Sequence, residues 1–166
     1  MPDITNNPDV VRLIRELNRL GAKAMFYRSN ARYGYLLVLL RPALVKIVED
    51  MNKRWAADVA ELKYMPDTGV AVFTIHYHDN HVVTQEDKDY IINTLRTHGV
   101  LADVVQTAPD TVNVLVHVET YAKYIEKNIV RRLHNANAYV QYVRETAALV
   151  IHMWTGTRPS QFASPE

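Results

Sequence analysis

The chain has 166 residues, of which 48% are hydrophobic and 22% charged, and its net charge is +1. These values are those of an ordinary globular chain long enough to bury its own core. The absence of cysteine excludes disulfides, thiol nucleophiles and Cys-ligated metal centres, while the lack of any apolar run near the roughly 18 residues of a membrane span, or of a signal-peptide pattern, leads us to expect a cytoplasmic protein with no membrane partner.

Taken in order, Asn7-Pro8-Asp9 predicts a helix start, with Asn7 as cap, Pro8 at the first helical position and Asp9 at the positive end. Val10, Leu13, Ile14, Leu17 and Leu20 follow at helical spacing, and Gly21 ends the run. A hairpin is predicted next, with strands Ala24 to Arg28 and Tyr33 to Leu40 about a turn at Ser29-Asn30-Ala31. Pro42 opens a second helix lined by Leu44, Ile47, Val48, Met51 and Trp55. The next hairpin turns at Pro66-Asp67-Thr68. Thr84 with Asp87 predicts a capping box for a third helix, which Gly99 closes. A hairpin around Pro109-Asp110-Thr111 follows, then a fourth helix capped by Thr120 and ending near Asn135 to Asn137. The last hairpin joins Tyr139–Arg144 to Ala147–Trp154 through Glu145-Thr146.

Two words recur. Ala57-Asp58-Val59 matches Ala102-Asp103-Val104, and Pro66-Asp67-Thr68 matches Pro109-Asp110-Thr111. With the spacing of the caps they define four helix–hairpin (αββ) repeats, at about 7–40, 41–78, 84–119 and 120–154. The expected fold is α+β: eight mainly antiparallel strands in one or two sheets, helices on one face, with a pseudo-symmetry related to ferredoxin-like folds. It forms one domain over residues 1–155, followed by a flexible tail over 156–166. Strand alternation puts Ala71, Phe73, Ile75 and Tyr77, with their counterparts Val112 to Val118 and Ala147 to Met153, under the helices. His76, His117 and His152 fall on the opposite face.

Charge is unevenly placed: residues 1–56 carry +5, residues 57–110 carry −6 and residues 111–166 carry +2. The first hairpin interleaves Lys23, Arg28 and Arg32 with Phe26, Tyr27, Tyr33 and Tyr35. Cations for phosphates and rings for bases are what a single-stranded nucleic acid requires. Arg12, Arg15, Arg19 and Arg41 extend this patch, and Tyr139 and Arg144 repeat the theme in the last hairpin. The expected function is therefore non-enzymatic binding of single-stranded nucleic acid by a homo-oligomer without cofactor, of the kind that assists replication or transcription in a bacteriophage. Two other readings stand beside it: an assembly module recruiting a protein partner through an uncovered sheet face, and a metal-dependent hydrolase using His76, His78 and His117.

Overall fold

The computed structural model describes residues 3–160. Helix α1 (Pro8–Arg19) begins as its sequence dictates, with Asn7 Oδ1 accepting the Asp9 amide at 3.0 Å. It leads into β1 (Lys23–Asn30) and β2 (Tyr33–Leu39), then α2 (Arg41–Asn52). Strands β3 (Ala57–Val59), β4 (Lys63–Met65) and β5 (Val70–Tyr77) follow. Helix α3 (Gln85–Thr97) opens on the full Thr84–Asp87 capping box. Next come β6 (Leu101–Ala108), β7 (Thr111–His117) and α4 (Val118–Ile125), which continues as a π-helical turn at Glu126–Val130. The described chain closes with β8 (Asn137–Val143) and β9 (Ala148–Trp154). No helix among the described residues is long and apolar enough to cross a membrane.

The structure is α+β with antiparallel strands, as expected, but the described residues form nine strands rather than eight. The strand before Pro66 is broken by a one-residue bulge: Val59 pairs with Ile75 and Lys63 with Val72. The break lets Leu62 turn into the core. Local boundaries differ too. Strand β1 runs past a register shift at Ser29 to Asn30, so the first turn is Ala31-Arg32. Helix α4 starts at Val118, before Thr120, because Thr120 Oγ1 is engaged elsewhere: it donates to His117 O at 2.6 Å and accepts the Leu101 amide at 3.0 Å. The helical run then stops at Val130, short of Asn135. In the last turn the positive φ falls on Ala147, whose carbonyl accepts the Leu40 amide at 3.2 Å.

The strands form two sheets. One has the order β1-β2-β9-β8; the other has the order β3-β5-β7-β6, with β4 also paired to β5. The helix–hairpin segments expected as repeats one and four (7–40 and 120–154) thus share the four-stranded sheet, and those expected as repeats two and three (41–78 and 84–119) share the five-stranded sheet. In each, the second strands of two hairpins pair at the centre. The charge divides the same way. Repeats one and four hold eleven Lys/Arg against four Asp/Glu, whereas repeats two and three hold seven against eleven.

A single apolar cluster runs through both sheets and all four helices. Leu13, Leu17, Leu36, Val38, Phe73, Ile75, Val114, Tyr121 and Ile151 are all nearly inaccessible to solvent in it. Inward residues alternate along β2, β5, β7 and β9, as the period of two requires. Gly34 has a steric cause: a Cβ there would sit 2.4 Å from the Phe26 ring and 2.6 Å from the Tyr27 carbonyl. The absence of a side chain lets the Phe26 ring cover β2 from the neighbouring strand.

One buried carboxylate ties the first repeat to the last. Asp9 is 2% exposed, and its Oδ2 accepts the backbone amides of His134 (3.1 Å), Asn135 (2.6 Å) and Ala136 (2.8 Å). Asn7 adds a bond from Nδ2 to the Asn135 carbonyl at 3.1 Å. The two sheets meet at a second clamp. Tyr64 donates its hydroxyl to the Arg144 carbonyl, and the Arg144 guanidinium donates to the carbonyls of Pro66 and Asp67.

Candidate nucleic-acid interface

Cross-strand register assembles a row of rings on the outer face of the four-stranded sheet. Tyr27 stands opposite Tyr35, Tyr35 opposite His152, and His152 opposite Tyr139. Each strand therefore contributes one ring to the same transverse row. Tyr27 and Tyr35 stack at 5.2 Å with an interplanar angle of 24°, and Tyr139 and His152 stack at 5.9 Å and 21°. Tyr33 and Trp154 form a second pair in register one step along the strands, with Tyr33 stacked on His152 at 6.1 Å. Tyr27 is 42% exposed, Tyr35 and Tyr139 are half-buried, and Tyr33 is buried.

Hydrogen bonds hold the centre of the row. His152 Nδ1 lies 2.8 Å from the Tyr33 hydroxyl, and His152 Nε2 lies 2.8 Å from Gln141 Oε1. The Gln141 oxygen only accepts, so Nε2 carries the proton and Nδ1 accepts from Tyr33, the arrangement of a neutral imidazole. Burial lowers the His152 pKa below its ordinary value near 6.5 and raises that of Tyr33. The sign follows from linkage. A histidine depressed in the folded state contributes its full stability above about pH 6.5, and that contribution falls as pH drops from there towards the folded value. Asp3, Asp87 and Asp110, whose pKa values are lowered by hydrogen bonds, act in a separate window: their contribution is present above about 3.8 and is lost below it. A His152→Gln chain is therefore expected to lose the decline in denaturation midpoint that sets in below about pH 6.5 while keeping the acid limb.

Cations flank the rings. Lys23 lies on the same face at the start of β1, opposite Leu39. The Arg158 guanidinium lies 5.2 Å from the Tyr139 ring centre and 5.4 Å from that of Trp154. Arg32, in the β1–β2 turn, rests against Gly156. No outer-face position of the four strands carries a carboxylate.

The other expected residues are placed elsewhere. Arg12 pairs with Glu16 at 3.0 Å and donates to the Arg132 carbonyl at 2.8 Å. Arg12, Arg15 and Arg19 belong to α1, whose packed face joins the core, so they lie across the sheet from the ring row. Arg28 alternates onto the inward side and pairs with Asp3 at 2.7 Å. Arg41 is exposed at the start of α2, beyond the far end of β2. Arg144 is committed to the clamp between the sheets. Tyr27, Tyr33, Tyr35, Tyr139 and Lys23 are thus brought to one face, whereas Arg12, Arg15, Arg19, Arg28, Arg41 and Arg144 are not. His152, Trp154 and Arg158 complete the face. The histidine was visible as an outward residue of its strand, but nothing in the sequence tied Arg158 to the rings.

The histidines of the five-stranded sheet take separate carboxylates. His76 lies 2.9 Å from Asp110, His78 lies 3.0 Å from Asp58, and His117 lies 2.8 Å from Asp103. Each of the recurring aspartates, Asp58 and Asp103, reaches the histidine two positions beyond its direct cross-strand neighbour. By this geometry His78, rather than His76, is the counterpart of His117. Among the described residues no group of three or more His, Asp or Glu is placed to hold a metal ion.

No protein-family model matches this chain, and no curated protein or solved structure matches it.

Proposed function

We propose that this chain binds single-stranded nucleic acid on the ring-bearing face of its four-stranded sheet, without catalysing a reaction. The observation that carries the reading is the transverse row Tyr27–Tyr35–His152–Tyr139, one ring per strand. Bases stack on such rings regardless of sequence, each for about 1–3 kcal/mol. Two further features support a polyanion there: Lys23 and Arg158 flank four strands whose outer-face positions carry no carboxylate, and residues 7–40 and 120–154 carry an excess of positive charge. The working setting is cytoplasmic, as an accessory protein in replication or transcription of the kind bacteriophages encode.

Fluorescence anisotropy with labelled single- and double-stranded oligonucleotides across a salt series tests the reading. Binding is expected to favour the single strand and to weaken steadily as salt rises, because phosphate contacts release counterions. Lack of binding to any oligonucleotide at low salt would sink it.

A further inference from the structure

We propose that the cavity between the end of β5 and the start of α3 binds a protonated alkylamine, its ammonium group held by the rings of Trp55 and Tyr77 and by the carboxylate of Asp87. The site belongs to the five-stranded half of the molecule and stands independently of nucleic-acid binding.

One atom here is unsatisfied. Tyr77 ends β5 and is 6% exposed. Its hydroxyl is closed to water and makes no hydrogen bond. A buried polar group without a partner is costly, and nearly all such groups in folded proteins have one. Tyr77 lines a cavity of about 400 Å3 together with Trp55, Asp79, His81 and Asp87. Small-molecule sites fall in this size range and set a few polar groups among apolar walls. A ligand in this cavity can supply the partner that the protein does not.

Local structure brings the walls together. Helix α2 stops at Asn52, so Trp55 lies beyond its end and meets the Tyr77 ring at 6.3 Å and 66°. Tyr90 of α3 braces the indole at 6.2 Å and 80°. From the loop between β5 and α3, the His81 ring packs on Tyr77 at 4.9 Å and 38°. That loop turns through two left-handed residues, Asp79 and Asn80, each with a φ of 57°, and these residue types tolerate the conformation. Backbone bonds fix its path. The His78 amide donates to the Ala56 carbonyl at 2.8 Å, the His81 amide to the His78 carbonyl at 3.1 Å, and the Val83 amide to the Pro109 carbonyl at 2.8 Å.

The lining selects a cation. Apart from histidines, its charged residues are Asp79, Asp87 and Arg54, and residues 57–110 carry −6 overall. His78 and His81 are each taken by a carboxylate, Asp58 at 3.0 Å and Asp87 at 2.7 Å. Burial raises the Asp87 pKa, but hydrogen bonds from the Thr84 amide and His81 outweigh it, so the group sits below the usual carboxylate range. Both bonds end on Oδ2, which leaves Oδ1 for a ligand. Tyr77 stays protonated, since burial and then the charge of Asp87 push its pKa up to about 12. An ammonium N–H can donate to the neutral phenol oxygen and to Asp87 Oδ1, while the ring faces attract its charge. The His81 side chain is 43% exposed, so its ring can swing aside to admit the donor. A metal ion is not the occupant, because among the described residues no three His, Asp or Glu are placed to share one.

Lysine side chains and free small amines share this chemistry, and nuclear magnetic resonance of the isotope-labelled chain separates them. The chain has two tryptophans, Trp55 in this cavity and Trp154 on the ring-bearing face, so each indole N–H resonance reports one site. n-Butylammonium is expected to move the Trp55 resonance with a dissociation constant of about 1–10 mM and to leave Trp154 in place. Neutral butanol and tetramethylammonium, which has no N–H, are expected to bind at least about five-fold more weakly. Tyr77→Phe removes only the unpartnered hydroxyl and is expected to weaken n-butylammonium about five-fold with the fold intact. Nα-acetyl-lysine methylamide binding about ten-fold or more tighter than n-butylammonium assigns the site to a protein's lysine; a smaller gain assigns it to a free amine. A still Trp55 resonance, an equal response at Trp154, butanol or tetramethylammonium binding as tightly as n-butylammonium, or unaltered affinity in Tyr77→Phe would each overturn the proposal.

Discussion

An Asp9→Ala chain is expected to lose about 3 kcal/mol of folding stability, seen as a lower urea midpoint by circular dichroism. Three backbone amides, those of His134, Asn135 and Ala136, donate to this one carboxylate oxygen at 2.6 to 3.1 Å. The site is nearly sealed from water, so truncation leaves those donors without acceptors. Each hydrogen bond to a charged group is worth about 1.5–3 kcal/mol, and partial relaxation of the loop keeps the loss below the sum of all three. Small domains hold about 5–15 kcal/mol in total, so this is a large fraction. Asp9→Asn retains one acceptor oxygen but turns an NH2 group towards the loop, and it should fall between the two. Faster amide exchange confined to 131–136 and the start of α1 would locate the effect; an unchanged midpoint in Asp9→Ala would show that the clamp contributes nothing.

Tyr35→Ala is expected to weaken single-stranded oligonucleotide binding by about 5- to 150-fold, the equivalent of one stacked base. Tyr35 sits inside the row, 5.2 Å from Tyr27 and 6.2 Å from His152, so its loss breaks the row into two pieces. Its side chain is half-buried on the outer face, so the fold should persist. Tyr35→Phe keeps the ring and should bind almost normally. The comparison that decides the geometry is Arg15→Ala. This arginine lies on the helix side of the sheet and should change affinity by less than about two-fold, apart from a small reduction in salt dependence. If Arg15→Ala weakens binding more than Tyr35→Ala does, the nucleic acid lies on the helices and the ring row has another role.

Much of this architecture was legible from residue patterns. The helix starts at Asn7-Pro8 and Thr84 were readable because capping is local chemistry, fixed within four residues. The alternation in β5, β7 and β9 was readable because a half-buried strand has a period of two. The start of α4 was not, since Thr120 resembles a cap but bonds to Leu101 and His117 instead. The bulge between Val59 and Lys63 was hidden because its cause is Leu62 seeking a core formed by distant residues.

The site divides along the same line. Alternation assigned His152 to the outer face of its strand, but charge gives no such periodic signal. Arginines near in sequence were grouped together, yet a sheet separates Arg12 and Arg15 from Tyr35, and long side chains such as Arg28 and Arg144 were claimed by Asp3 and by a neighbouring turn. Asp9 looked like a residue suited to a helix dipole. Its partners are 125 to 127 positions away, and nothing local announces them.

The pairing of first repeat with last has a consequence for how the chain acquires its shape. The five-stranded sheet is built from one continuous stretch ending at His117, and it can assemble on the ribosome while the remainder is still being made. The four-stranded sheet must close a loop from Tyr33 to Trp154, a slow step that waits for the last hairpin to emerge. Until then β2 has only β1 beside it, and its apolar run from Leu36 to Leu39 is an open edge. A nascent chain, or one cut before Ala148, is therefore most prone to aggregate through the strand that later becomes the centre of the ring-bearing sheet.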